Sequence, residues 1–180
     1  MSRFGVIPKD APGEWRLILD LSSPPGFSVN DGISADDSSV RYQGIDQAID
    51  AILSVGKGAL LSKFDIERAY RNVPIHPEDR FLLGMKWDGH YYVDLTLPFG
   101  GRPSATIFSS VADVLQFILS SVALRSVLLH YLDDFLNVFD PRSRFTASAY
   151  RAANVDLDTE LSTCEIIYVR LTTCLTFLGT

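Results

Sequence analysis

HYLDDFLNV, His130 to Val138, is the stretch whose reading decides the fold. Two adjacent carboxylates, Asp133 and Asp134, interrupt an apolar run that otherwise reads as two strands, SVLLHYL and FLNVF. A buried, uncompensated carboxylate is strongly unfavourable. The pair therefore sits in a solvated turn, or something cationic neutralises it. The flanking strands place both acids at the tip of a hairpin, where a tight turn brings them to a surface. Taken alone, a polar turn explains the pair as well as a functional site does.

Working outward, a third acid, Asp65, closes the apolar run ALLSKFDI (59–66). An acid at a strand end is commonly just a turn or cap residue. If that strand lies beside the hairpin, however, Asp65 and Asp133 could converge on one point; convergent carboxylates repel, and the usual remedy is a divalent cation. Oxygen-only ligands select Mg²⁺ or Mn²⁺. Two such ions would activate a nucleophile and stabilise a leaving pyrophosphate.

The remaining pattern is α+β, with several hairpins and few βαβ alternations. FGVIPK (4–9) and EWRLILDL (14–21) read as a hairpin across DAPG, and SSPPGFSVNDGIS (22–34) as a loop. DQAIDAILSVG (46–56) reads as a helix ended by Gly56, with Ala48, Ile49, Ile52 and Leu53 at helical spacing. ERAYRN (67–72) reads as a turn or short helix, and FLLGMKW (81–87) and HYYVDLTL (90–97) pair across Asp88-Gly89. From Pro103 to about Ala123 runs the clearest helix, with Ile107, Phe108, Val111, Leu115, Ile118, Leu119 and Val122 in one stripe. Residues 142–163 read as a weakly patterned helix, and CEIIYV (164–169) and CLTFLG (174–179) as strands.

Composition bounds the function. A chain of 180 residues, 47% apolar, suits one domain or one domain with a small appendage. A net charge of -6 argues weakly against a free-standing nucleic-acid binder, because phosphate neutralisation needs Lys and Arg. Cys164 and Cys174 form no CxxC pair, so two reduced thiols in an intracellular protein are expected. No signal pattern opens the chain. Ser109, Ser110, Asp113 and Gln116 interrupt the longest apolar run, so neither a membrane span nor a membrane partner is expected.

FDIERAY (64–70), LPFGGRPSATIF (97–108) and YLDD (131–134), in that order, resemble motifs A, B and C of a reverse transcriptase palm. EWRLILDL resembles the fingers hairpin of that family, and LTFLG (175–179) the strand leading to the primer grip. VIPK, GEWRLILDLSSP, SVNDGIS, GALLSKFDIERAYR, VPIHPEDR, LGMKW and HYLDDFL look closest to polymerases of DIRS-type, tyrosine-recombinase retrotransposons. The resemblance implies a polymerase palm, an antiparallel sheet with helices on one face, over residues 59–180, with a partial fingers over 1–58. It implies an RNA-directed DNA polymerase that adds dNTP to a DNA primer on an RNA or DNA template, using two Mg²⁺ or Mn²⁺ ions.

Site roles carry over by position. Asp65 and Asp133 would ligate the metals with Ile66, and Asp134 would support them. Tyr70 would lie under the sugar as a steric gate against a 2′-hydroxyl, although without the motif a core tyrosine is the commoner reading. Lys9 and Arg16 would reach the triphosphate, Phe99 and Gly100 the nascent base pair, and Arg102 a template phosphate. Tyr131 and Leu132 would border the primer end.

The pattern is departed from in two places. The family usually carries a lysine between motif C and the FLG strand to protonate pyrophosphate, and no lysine follows Lys86. Arg144, Arg151 or Arg170 would substitute electrostatically, but guanidinium is a poor proton donor. The sequence ends at Thr180 with no thumb, RNase H or recombinase segment, so a partial gene product is expected. Two other readings stay open: a decayed palm that binds without catalysis, and another palm polymerase such as an RNA-dependent RNA polymerase, against which Tyr70 argues.

Overall fold

The structure is a computed structural model that describes residues 1–9, 12–122 and 126–140, and the backbone of 161–167. Eight strands are described: β1 (Arg3–Pro8), β2 (Trp15–Asp20), β3 (Leu60–Ile66), β4 (Gly84–Trp87), β5 (His90–Val93), β6 (Ser126–Tyr131), β7 (Asp134–Phe139) and β8 (Leu161–Ile167). Two α-helices join them, α1 (Ile45–Val55) and α2 (Ser104–Val122). The chain divides into two compact units, one of 1–40 with 68–109 and the other of 41–67 with 110–180.

The second unit is built on an antiparallel sheet of order β6-β7-β3-β8. Because side chains alternate along a strand, register fixes which residues share a face. Leu61 lies opposite Val138, and Leu129 opposite Leu136; these four pack with Ala48, Ala51 and Ile52 of α1. The other face carries His130, Phe135 and Phe64, with the two phenylalanine rings stacked at 4.9 Å. Asp113 of α2 reaches His130 there. The expected α+β palm-like sheet is present; α1 packs on the face of Leu61 and Val138, and α2 meets the face of His130 through Asp113. Strand β7 is buried on both faces from Phe135 to Phe139, as in strands covered on two sides. At the start of α1, Gln47 accepts the Gly44 N–H, and Gly56 ends the helix with a positive φ of 87°.

The first unit holds two hairpins, β1–β2 and β4–β5. Asp88 and Gly89 both have positive φ, which matches the twist of a two-residue turn. Leu19, Leu21, Leu83 and Met85 form its small core, with Phe4, Val29 and Ile75 against them. Strand β4 is shorter than expected, because Arg80–Leu83 coils into a 3₁₀ turn. Arg71, in a second 3₁₀ turn (Ala69–Asn72), pairs with the buried Asp94 at 2.6 Å.

Helix α2 buries Phe108, Ala112, Leu115 and Leu119, whereas Ile107 and Val111, expected in the buried stripe, are exposed. Apolar residues stand on more than one side of the helix, so composition alone does not orient it. By length and composition alone, Ser104–Ser121 would suffice to cross a membrane. The expected helix at 142–163 lies outside the described residues up to 160, and 161–163 belong to β8. CLTFLG and Arg144, Arg151 and Arg170 also lie outside the described residues.

Candidate active site

In the second unit the three acids collect at one end of the sheet. Asp65, next to last in β3, lies directly opposite Asp134, the first residue of β7. Opposed residues of an antiparallel pair project to the same face, and like charges there repel. Lys63 precedes Asp65 by one pleat on that face, and its Nζ lies 2.9 Å from Asp134 Oδ1. A cation does therefore offset the paired acids, and the sequence itself supplies it. The spacing Lys63-x-Asp65 was the available signal, since residues i and i+2 share a face.

The turn differs slightly from expectation. Its two loop residues are Leu132 and Asp133, while Asp134 already belongs to β7. Leu132 has φ 55°, a region that glycine fills readily and that is strained for a branched side chain. Across the strand ends the Ile66 N–H donates to the Asp133 carbonyl at 3.1 Å. That bond ties the tip of the hairpin to the end of β3. Tyr131 pairs with Asp134, and its ring packs against Tyr42 at 4.6 Å. The structure thus brings Asp65, Ile66, Tyr131, Leu132, Asp133 and Asp134 together. Among the described residues, no three His, Cys, Asp or Glu side chains form a group able to hold a metal ion.

The donors present at this end are nonetheless the hard oxygens that Mg²⁺ and Mn²⁺ take, and Mg²⁺ is commonly held by only one or two carboxylates. Asp65 and Asp133, both half-buried, with the main chain at Ile66, would hold such an ion.

In the first unit, Arg16, Tyr70 and Phe99 form a column. The Arg16 guanidinium lies 4.9 Å from the centre of the Phe99 ring, and the Tyr70 ring stands 4.9 Å from the same phenylalanine. Tyr70 also meets Phe108 at 5.6 Å. Lys9 stands apart from this group and pairs instead with Glu14 of its own hairpin at 2.9 Å, which holds the Glu14 carboxyl below its ordinary range.

The loop from Phe99 to Arg102 is fixed by a residue the sequence did not single out. Buried Asn30 donates to the Gly100 carbonyl at 2.9 Å and to Ser22 Oγ at 2.8 Å, and accepts the Arg102 N–H at 2.7 Å. Leu19 N–H donates to the Phe99 carbonyl at 2.9 Å. Gly100 has φ +110°, and a Cβ there would lie 2.0 Å from the Leu19 carbonyl oxygen, so only glycine fits. The Arg102 guanidinium donates to the Ile33 carbonyl at 2.8 Å. The one sequence hint of Asn30 was its place in SVNDGIS, whose partners lie about seventy residues away.

Against solved structures, the chain resembles the foamy viral protease-reverse transcriptase dRH in complex with double-stranded DNA, at 20% identity and a TM-score of 0.63. That match covers 89% of this chain and 25% of the viral one. It likewise resembles the prototype foamy virus protease-reverse transcriptase CSH mutant, at 22% identity and a TM-score of 0.65, over 92% of this chain and 20% of the other. The foamy viral enzyme in complex with an RNA/DNA hybrid matches at 20% identity and a TM-score of 0.58, over 89% and 19%. The chain therefore spans about a fifth to a quarter of the length of these proteins. No curated protein sequence matches it. The family model described as reverse transcriptase (RNA-dependent DNA polymerase) matches residues 7–157, which takes in β2, the β4–β5 hairpin, the Gly100 loop and the paired acids. This chain belongs to the reverse transcriptase family.

Proposed function

We propose that the chain is the fingers-palm part of an RNA-directed DNA polymerase of a retrotransposon, joining dNTP to the 3′-hydroxyl of a DNA primer. On this reading residues 1–58 are a partial fingers and 59–180 the palm. The observation that carries it is the meeting of Asp65 with Asp134 across β3 and β7, fastened by the Ile66–Asp133 hydrogen bond. The ordered motifs, with DIRS-like segments around them, support the retrotransposon origin. Two divalent ions, when bound, would supply Lewis-acid stabilisation of the charge on the reacting phosphate.

The chain's own residues do the rest. Asp65 and Asp133 present anionic oxygens to the ions, with Ile66 beside them, and Asp134 holds Lys63 in place. Tyr70, braced by Phe99, fills the space that a ribose 2′-hydroxyl would occupy. Arg16, stacked on Phe99, offers guanidinium N–H groups to phosphate oxygens. Gly100 lets the backbone approach a base pair closely. Tyr131 and Leu132 border the primer end. Arg102 lends positive charge for a template phosphate while part of its guanidinium holds Ile33.

The test is primer extension on an RNA template with Mg²⁺ or Mn²⁺. Incorporation is expected from the wild-type chain and is expected to fall below detection in Asp133→Asn, with the melting temperature preserved. Absence of incorporation by the wild type, in the presence of template binding, would replace this reading with a second one, a palm that binds without catalysis. The absence of a lysine after Lys86 favours that alternative. Unchanged rNTP discrimination in Tyr70→Ala would remove the gate assignment.

A further inference from the structure

We propose that Gln43 and Gln116 are positioning residues for the Tyr131–Asp134 turn, acting by clamping the open edge of β6. Strand β6 is the edge of the four-stranded sheet. Tyr131 and Asp134 flank a two-residue loop, so they exchange hydrogen bonds, and so do Leu129 with Leu136. The residues between, His130 and Leu128, therefore turn their N–H and C=O groups away from β7 toward the open edge. Such groups are where an edge strand frays or pairs wrongly.

Both positions are met by glutamine side chains. Gln43 Oε1 accepts the His130 N–H at 2.8 Å, and Gln116 Nε2 donates to the Leu128 carbonyl at 2.5 Å. The two amides also touch each other at 3.4 Å. Gln43 lies just before α1 and Gln116 lies on α2, so one short polar bridge fastens the edge strand to segments from either side of the sheet. Neighbouring contacts reinforce it. Tyr42 packs on Tyr131, His130 Nε2 lies 2.8 Å from Asp113 Oδ1, and the His130 ring stacks on Phe135 at 5.4 Å. The consequence falls on the turn. Leu132 is held at positive φ, and fraying of β6 would let it relax and would draw Asp133 away from the Ile66 N–H. Both amides lie outside the acid group, and each bonds a main-chain group of β6.

The structural part of this inference stands apart from the polymerase reading; only its kinetic part rests on it. The variants are Gln43→Met, which keeps the length and removes the acceptor, and Gln43→Glu, which keeps an acceptor oxygen. Amide hydrogen exchange across 128–134 is expected to quicken tenfold or more in Gln43→Met and to stay near wild type in Gln43→Glu. Exchange in β3 is expected to be unchanged in both. In primer extension, Gln43→Met is expected to lower kcat about tenfold with KM for dNTP within twofold, and Gln43→Glu to restore it. Equal exchange in Gln43→Met and wild type would overturn the proposal, as would equal acceleration in both variants. Should Gln43→Met fail to fold, Gln116→Met is read by the same exchange criterion over 126–130. A wild-type chain that incorporates no dNTP would sink the polymerase reading while leaving the exchange result decisive for the clamp.

Discussion

Gly100 is held tightly in the loop from Phe99 to Arg102. Its φ of +110° and the 2.0 Å approach to the Leu19 carbonyl leave no room for a methyl group. Gly100→Ala is therefore expected to lower the melting temperature and to displace Phe99, with a loss of about 1–3 kcal/mol from strain at such a backbone position; denaturant unfolding measures it. Asp31 gives a pH signature. The Ser28 hydroxyl, then the Ser28 N–H, hold its carboxyl below the ordinary aspartate range. A depressed folded-state value means stabilisation that is complete above the unfolded value and lost as pH falls through the folded one. Melting temperature is thus expected to fall as the solution is acidified below about pH 4, and Ser28→Ala to flatten that fall. At this scale the acids were legible because charge inside an apolar run is conspicuous. Lys63 was legible in principle, from its i, i+2 relation to Asp65. Asn30 was not, because its worth comes from a loop distant in sequence.

Helix α2 shows what an element reveals and conceals. Its existence and length follow from sequence, since Pro103 opens it and nothing breaks it for nineteen residues. Its orientation does not, because Ile107, Val111, Val114 and Phe117 make a second apolar side that is exposed. The contrast is measurable. Phe108, 1% exposed, is expected to cost about 3–5 kcal/mol on replacement by alanine. Phe117, 76% exposed, is expected to change stability by no more than about 0.5 kcal/mol on the same replacement. The Arg71–Asp94 pair is a second element-level test. Arg71→Met would leave the buried Asp94 carboxylate without its cation, and a loss of about 1–3 kcal/mol is expected by thermal or denaturant unfolding.

For the whole molecule, the α+β class and the hairpins were readable from alternation and turn chemistry, and the face each helix covers was not. Register decides faces, and register appears only once strands are paired. The proposed metal site gives a test at the scale of the whole molecule. Mn²⁺ is expected to raise the melting temperature, and Asp65→Ala to erase that rise. The strand order carries one more consequence. Strand β3 lies between β7 and β8, both of which come later in the chain. On the ribosome it must wait for a neighbour for about 70 residues, roughly ten seconds of synthesis at typical rates. Nascent chains arrested after α2 should therefore recruit chaperones and yield to protease, and those extending past Ile167 should not, so the slow step of biogenesis is set by the lateness of a partner strand.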